Sequence, residues 1–530
     1  RPSHWHALAG DDWLNSLLAA VPADARETLE RVSRVVRSHH KPDSATMDEQ
    51  ELRMAFCVSV GDFLSSGERR DSAEQEYQEQ KEALLQSIFP RLKSEENPRP
   101  KFLPLCRHTD FSADLWFPVK EAASPEDSYS GLWKGFHTAA RSLARLMGGD
   151  IETWNALFRE FTVRIPSATP WKKSADSRTV PDISLYDHAL ATAALASALF
   201  SSALPLSEIQ SLHQRLINRD SSDPDSGPVF HLIGGDISGI QKYIFGITGE
   251  KAARTLKARS FFIQFLCDLI ARDVCRLWGL TPLSIIYSGG GRFYLIIPSN
   301  ALETLHLTEV QNKFNRMLLR HCRGQILLTL GAAPLTVPDL RSGLSEVWKA
   351  VGLDLAEKRR NRAGSFDAAD YDALFGIEQA PGDNEECKTC GVPLDSKDEH
   401  CPFCDCMENL GKDLRKAEYL LYPLNMDCEM FLKSFQKGEP ALKAVEDLRS
   451  VRFLCASLEY DVALESLGFF DSNNISLISE DGFAPIRAFS CRMIGSSSPE
   501  SEEIPGGVIS FEEMAAKSQG DRKLGILRAD

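Results

Sequence analysis

Apolar residues recur at helical spacing through the first 95 residues, in stretches such as ETLERVSRVV and ELRMAFCVSVGDFLSS. A second long helix is predicted at SLYDHALATAALASALF, where Ser184 or Asp182 is placed to cap the first turn. The turn-rich stretch NRDSSDPDSGP at 218–228 follows and is typical of a linker. The pattern therefore predicts a helical N-terminal part that ends near residue 228.

From residue 229 the chain changes to short apolar runs that alternate with amphipathic helices. The predicted order is strand, helix, strand, strand, helix, strand, which is the order of the ferredoxin-like βαββαβ unit. Its central hairpin is IIYSGGGRFYLIIPS, with a tip made of Ser288, Gly289, Gly290 and Gly291. Three glycines at this tip would let a ligand approach the backbone closely.

These patterns predict a multidomain α+β protein. We expect a helical domain at 1–95, a helical connecting region at 96–228, a palm-like domain at 229–375, a cysteine-rich and helical region at 376–450, a β-rich linker at 451–520 and the first strand of a further unit at 521–530. Within the fourth region, LGKDLRKAEYLLYPL is predicted to be helical. Because the chain begins with Arg and ends inside a predicted strand, we expect functional parts beyond both ends.

Composition adds limits to this picture. The chain has 530 residues and a net charge of −15, which argues against a protein that coats nucleic acid by charge alone. Of the thirteen cysteines, all but a group of four are scattered among apolar residues, which indicates a reduced, cytoplasmic protein. The uncharged stretch 189–206 is rich in Ala and Ser rather than Leu and Ile, so a buried helix is expected and not a membrane span.

Four cysteines form the strongest chemical signal in the chain. In CKTCGVPLDSKDEHCPFC, two CxxC pairs bring together Cys387, Cys390, Cys401 and Cys404. Two such pairs are typical of a structural Zn²⁺ site, in which four thiolates leave no open coordination position. His400 and Cys406 lie close enough in sequence to replace one ligand.

The palm-like domain offers only one acid where catalysis would need several. Palms that polymerise nucleotides hold two divalent metals with carboxylates at the end of the first strand and at the hairpin tip. Here the first strand offers Asp236 and the tip offers no acid. One carboxylate does not hold two metals, so this palm is predicted to receive a nucleotide without catalysis. Asp236 as an ordinary turn residue is the alternative.

Several stretches in this order resemble one family. The family is the large subunit of type III-A CRISPR effector complexes, the Csm-complex proteins. The chain resembles it in the stretches GGDISGIQKYIF, LKARSFFIQFL, IIYSGGGRFYLIIP and LGILRAD and in the paired CxxC motifs. The resemblance covers nearly the whole chain. It implies an HD nuclease domain that cuts single-stranded DNA, and two palms that make cyclic oligoadenylate from ATP once target RNA pairs with the guide RNA.

The resemblance also assigns residues. It implies that 1–95 is a partial HD domain, in which His39, His40 and Asp62 are remnants of the catalytic metal site. The Ser288 to Gly291 tip, with Asp236, is implied to bind nucleotide. Asp530 is implied to be the first catalytic acid of the second palm, whose Gly-Gly-Asp-Asp hairpin does not occur in the chain. His188 is interpreted as a core or capping histidine rather than a ligand.

The implied cofactors are structural Zn²⁺, ATP as substrate, and Mg²⁺, Mn²⁺, Ni²⁺ or Co²⁺ at the catalytic sites. The implied partners are the small helical subunit, the subunit that binds the end of the guide RNA, the guide and target RNAs, and single-stranded DNA. Two alternatives stay open: a nucleotide-binding scaffold without catalysis, and a cyclase of the GGDEF type. The zinc insert and the missing second acid pair argue against the cyclase.

Overall fold

A computed structural model gives the architecture of most of residues 5–445 and of two strands beyond them. The residues outside the description are 1–4, 22, 43–44, 67–83, 93–100, 109–114, 116, 121–125, 148–150, 168–171, 175–176, 179–180, 219–226, 247–251, 362–365, 376–385, 395–398, 415–416, 418, 424–425, 446–474, 479–484 and 491–530. The predicted first strand of a further unit at 521–530, with Asp530, lies outside the described residues.

Three helices begin the chain: α1 (Trp5–Leu17), α2 (Ala23–Ser38) and α3 (Glu49–Ser65). A capping box fixes the start of α3, because the Asp48 carboxylate accepts from the Glu51 amide and the Glu51 carboxylate accepts from the Asp48 amide. The Glu51 side chain also accepts from Arg34 and Arg31 of α2, at 2.6 and 3.3 Å. These contacts join α2 to α3 and so fix the C-terminal end of α2 against its neighbour.

The alanine-rich stretch forms a buried helix. Two helices follow the first three, α4 (Glu126–Met147) and α5 (Ile151–Thr162), and lead through a short hairpin of β1 (Lys172–Ser174) and β2 (Ser177–Arg178) into α6 (Leu185–Ser201) and α7 (Leu206–Ile217). Ser184 caps α6, as predicted. A Cβ at Gly61 of α3 would lie 2.7 Å from the Thr192 carbonyl oxygen, so small residues let α3 and α6 approach closely. Within the described residues, no helix combines the length and apolarity that crossing a membrane requires.

The predicted βαββαβ order is present. The strands are β3 (Phe230–Ser238), β4 (Ile285–Gly289), β5 (Arg292–Pro298) and β6 (Leu327–Leu335), in the antiparallel order β4-β5-β3-β6. Between them run α8 (Ile240–Phe245), α9 (Ala252–Leu277), α10 (Ala301–Thr304) and α11 (Leu307–Cys322). Because β3 is buried along almost its whole length, the sheet must be covered on both faces.

The two faces of the sheet meet different partners. On one face, α9 and α11 pack onto Ile233 and Phe293. On the other face lie α6 and α12 (Leu344–Arg360). The core of the first face continues into the region that follows the sheet, where Phe262 stacks on Phe431 with ring centroids 5.0 Å apart. The cysteine-rich region is therefore built onto the α9 and α11 face.

The remaining described elements are α13 (Ala368–Phe375), α14 (Pro402–Asp413), α15 (Cys428–Gln436), β7 (Tyr419–Pro423), β8 (Lys443–Val445), β9 (Ile475–Ile478) and β10 (Pro485–Ser490). The last four strands form a second antiparallel sheet in the order β8-β7-β10-β9. The predicted helix at 410–424 is wrong, because α14 ends at Asp413 and YLLYP is a strand. Aromatic and bulky apolar residues favour strands, and pairing with β10 decides the conformation.

Candidate functional site

Three histidines from the first two helices meet at one place. His6 lies on α1, and His39 and His40 directly follow the last residue of α2. One ring nitrogen from each of the three lies within 4.8 Å of the others, and His6 Nε2 is 2.7 Å from His40 Nε2. All three side chains are at least partly exposed. Converging imidazoles in reach of solvent are a suitable ligand set for Mn²⁺, Ni²⁺, Co²⁺ or Zn²⁺.

A carboxylate lies within the electrostatic reach of this cluster. Asp62 on α3 accepts a hydrogen bond from His188 Nε2 of α6 at 3.1 Å. Burial alone would raise the pKa of Asp62, but the His188 hydrogen bond and the positive charges of His188, His40 and His39 lower it overall. The other ring nitrogen of His188 lies 3.2 Å from Ser65 Oγ. The structure thus brings His39 and His40 together, leaves Asp62 outside their ligand group but within electrostatic range of both, and gives His188 two hydrogen-bond partners.

His6 was missed by the sequence prediction. It lies 34 positions before His40, on a different helix, so only the tertiary packing of α1 against α2 places the two rings together. The one local signal was the sequence SHWHALAG, in which another histidine stands two positions before His6. Nothing in that spacing distinguishes a metal ligand from a surface histidine.

The glycine tip of the β4–β5 hairpin is held by α9. The Ser288 hydroxyl donates to the Asp268 carboxylate, and the Gly290 amide donates to Gln264 Oε1 at 3.1 Å. Burial raises the pKa of Asp268, although the Ser288 hydrogen bond opposes this effect. Gly291 has φ +80°, and a Cβ there would lie 2.1 Å from Ile240 Cδ1. The tip therefore needs glycine for its conformation, and its polar groups are already ordered.

Asp236 lies in β3, opposite Arg292 of β5, and only 5% of it is exposed. Its Oδ1 accepts from Arg292 Nε at 2.8 Å, and its Oδ2 accepts from Arg359 Nη2 at the end of α12. The hydrogen bond to Asp236 raises the pKa of Arg292. Both carboxylate oxygens are therefore engaged by guanidinium groups, an arrangement that opposes a metal cation at this position. We call Asp236, Arg292 and Arg359 the arginine clamp.

The four predicted cysteines converge. Sγ atoms of Cys387, Cys390, Cys401 and Cys404 all lie within 4.8 Å of one another. The Cys390 and Cys401 sulfurs are 3.7 Å apart, close to the edge of about 3.8 Å expected for a tetrahedron with Zn–S bonds of about 2.3 Å. Hydrogen bonding with Cys390 and with Cys404 lowers the pKa of Cys401. The donor set therefore fits Zn²⁺.

The two predicted substitute ligands lie outside this cluster. His400 Nδ1 lies 3.1 Å from Thr389 Oγ1, and Cys406 is buried in α14. In the part of the chain that the structure describes, groups of three or more residues suited to hold a metal occur at two places, the four cysteines and the three histidines. The arginine clamp belongs to neither. We call residues 386–404 around the four cysteines the zinc knuckle.

Comparison with known proteins agrees with this architecture. Residues 229–376 match the family model of Csm1 subunit domain B. The chain is 27% identical, over 95% of its length and 66% of the relative, to a protein of Methanocaldococcus jannaschii named CRISPR system single-strand-specific deoxyribonuclease Cas10/Csm1 (subtype III-A). A protein of Enterococcus italicus with the same name is 24% identical over 73% of the chain and 51% of the relative.

Among solved structures, a Csm1–Csm4 cassette in complex with cA3 shares the fold, with a TM-score of 0.55 and 16% sequence identity. The match covers 98% of the present chain and 60% of the chain in the solved structure. A four-stranded antiparallel βαββαβ sheet with a four-cysteine cluster defines the class as an α+β protein. Within that class, the chain is similar to the Cas10/Csm1 proteins of CRISPR subtype III-A, and its residues 229–376 match a domain of those proteins. It spans about half to two thirds of the length of these curated relatives.

Proposed function

We propose that this chain is part of the large subunit of a type III-A CRISPR effector complex and that its N-terminal end cuts single-stranded DNA. The observation that carries the proposal is the convergence of His6, His39 and His40 beside the Asp62–His188 pair. Named relatives of the chain are single-strand-specific deoxyribonucleases. A divalent metal bound there would supply a Lewis acid and an activated water for phosphodiester hydrolysis.

The chain's own residues have separate tasks in this proposal. The imidazole nitrogens of His6, His39 and His40 would hold the metal in their neutral forms. Asp62, whose pKa is lowered, stays ionised near neutral pH and adds a negative charge near the ligands. His188 orients that carboxylate through its hydrogen bond.

The test is cleavage of a labelled single-stranded DNA by the intact protein in Mn²⁺. We expect His6→Ala and His40→Ala each to slow cleavage roughly 100-fold or more. Loss of a residue that only hydrogen-bonds a metal ligand costs about 10–100-fold in activity, and loss of the ligand itself should cost more. His137→Ala, which changes a partly exposed histidine on α4, is the matched control. Full activity in His6→Ala would remove this residue from the site and the cluster from the proposal.

The first palm is proposed to bind ATP without activating it. The ordered Ser288, Gly289, Gly290 and Gly291 tip supports the binding, and the arginine clamp on Asp236 supports the lack of catalysis. The similar solved structures include cassettes described as complexes with cA4 and with one ATP. Cyclic oligoadenylate synthesis is proposed for the whole protein, together with a second palm that includes Asp530.

Gly290 offers a test of this surface. A Cβ there would meet nothing within 4 Å, and its φ of +61° is one that Asn tolerates. Gly290→Asn is therefore expected to keep the fold while it fills the space over the tip. ATP affinity, measured by equilibrium dialysis, should fall about tenfold, as for a lost or blocked hydrogen-bonding surface. Unchanged affinity would place the nucleotide elsewhere.

The proposed setting follows from the same relationships. The similar structures are of Csm1–Csm4 pairs, so a Csm4-like subunit that holds the guide end, a small helical subunit, guide RNA and target RNA are the proposed partners. The proposed location is the cytoplasm. The alternative function is a nucleotide-binding scaffold, which the arginine clamp favours for the first palm taken alone.

A further inference from the structure

A cavity of about 340 Å³ lies between the first palm and the zinc knuckle. Its walls come from α8, α9, the C-terminal end of α11 and the start of α14. None of the hairpin-tip glycines lines it, so it is separate from the proposed ATP surface. Its volume lies within the range of roughly 300–1,000 Å³ that is usual for small-molecule sites.

Three polar atoms in the lining residues have no hydrogen-bond partner. They are Arg259 Nε, Tyr243 Oη and His321 Nε2, all inaccessible to bulk water. Arg259 and Tyr243 are each only 3% exposed. Buried polar groups are nearly always satisfied in folded proteins, so three unpartnered atoms among the residues that line one cavity favour a ligand that supplies the missing partners.

The charge of these groups sets the chemistry of that ligand. The Arg259 guanidinium donates to the Tyr243 carbonyl at 2.6 Å and lies over the Tyr243 ring. Among the described residues, no carboxylate forms an ion pair with Arg259. Arg323, exposed at the end of α11, adds a second positive charge to the lining. A buried positive charge without an acidic partner is expected to bind an anion.

His321 lines the same cavity. Its Nδ1 lies 2.7 Å from Gln436 Oε1. The Gln436 amide nitrogen donates to the carbonyls of Arg320 and His321, so the amide oxygen is fixed and Nδ1 must be the donor. Nε2 is therefore left for the ligand. A phosphate group offers acceptor oxygens for Arg259 and Tyr243 and, when it carries a proton, a donor for His321 Nε2.

We propose that this cavity binds a phosphate-bearing small molecule. The anionic oxygens would accept from Arg259 Nε and Tyr243 Oη, and an attached apolar or planar group would lie against Phe403 and Val392. A competing explanation is that the cations offset the negative charge of four thiolates on zinc. Against it, neither Arg259 Nε nor Tyr243 Oη has a hydrogen-bond partner of any kind, sulfur included. The inference does not depend on the proposed nuclease or ATP sites.

The test is calorimetric titration of the zinc-loaded chain with inorganic phosphate and, separately, with AMP. We expect submillimolar binding of at least one of the two. Arg259→Met should abolish it, and Tyr243→Phe, which keeps the ring and its packing, should weaken it about tenfold. Arg276→Met is the matched control, because Arg276 is on the same helix, outside the cavity and paired with Asp273. Gly290→Asn should leave this binding intact, which separates it from the hairpin tip.

The two ligands distinguish the sources of the phosphate group. Tighter binding of AMP identifies an organic phosphate, and equal binding identifies free phosphate; both support the proposal. Absence of binding by the wild-type chain overturns it, as does binding that Tyr243→Phe and Arg259→Met leave unchanged. Loss of zinc from Arg259→Met in a chain that binds neither ligand would instead show that Arg259 compensates the thiolates. If Arg259→Met does not fold, weaker binding of phosphate or AMP by Tyr243→Phe supports the proposal and unchanged binding overturns it.

Discussion

Purified under reducing conditions, the chain is expected to contain about one zinc per molecule, and Cys401→Ser is expected to lose it. Cys401 is the N-cap residue of α14, and its Sγ lies 3.7 Å from the Sγ of Cys390. It therefore links the second CxxC pair to the first. Replacing one thiolate by a hydroxyl leaves three ligands. Structural zinc sites contribute about 10–16 kcal/mol of apparent binding free energy in small peptides, so the local effect should be large.

The consequence should extend beyond the knuckle. Phe403 lies between the two cysteines of the second pair and packs against Phe262 of α9, with ring centroids 5.6 Å apart. Loss of zinc should therefore increase hydrogen exchange in residues 386–394 and at the start of α14, with a smaller increase in α9. Metal analysis and exchange mass spectrometry measure both effects.

Cys406→Ala is the matched control, since Cys406 is buried on the same helix but outside the four-sulfur cluster. It should retain zinc. If Cys401→Ser retained zinc and Cys406→Ala lost it, the ligand set would be wrong.

The second large effect is expected at the arginine clamp. Arg292→Met together with Arg359→Met would leave the Asp236 carboxylate buried without a counter-ion. Removing the partner of a buried charge costs about 3–5 kcal/mol, and we expect the palm sheet to lose stability on that scale. Hydrogen exchange of β3 amides at increasing urea concentration measures the loss for this sheet directly.

Rescue distinguishes charge from packing. Asp236→Asn in the double variant removes the unpaired charge and should restore most of the lost stability. Arg360→Met, at the exposed neighbour of Arg359, should change little. If the double variant is as stable as the wild type, Arg292 and Arg359 do not hold the Asp236 carboxylate in solution. The argument that they keep a metal cation away from Asp236 would then fail.

The range of each interaction explains which features could be predicted from the sequence. The zinc knuckle was predictable because its ligands lie within 18 residues and their spacing is itself the signal. The βαββαβ order was predictable because its strands and helices have different hydrophobic periods. The strand β7 was not, because it is decided by pairing with β10 more than 60 residues later.

Functional contacts between distant residues could not be predicted from one chain. Arg359 meets Asp236 across 123 positions, and the Asp62–His188 pair spans 126. His39, His40 and Asp62 were identified only through resemblance to a family. The three-dimensional packing of α1 against α2 adds His6 to the two histidines.

Calorimetric titration of the zinc-loaded chain with Ni²⁺ tests most directly whether the converging histidines are a metal centre. The account predicts one Ni²⁺ per chain, lost in His6→Ala and in His40→Ala and retained in His137→Ala. A wild-type chain that binds no Ni²⁺, or binding that survives both substitutions in the cluster, would contradict it.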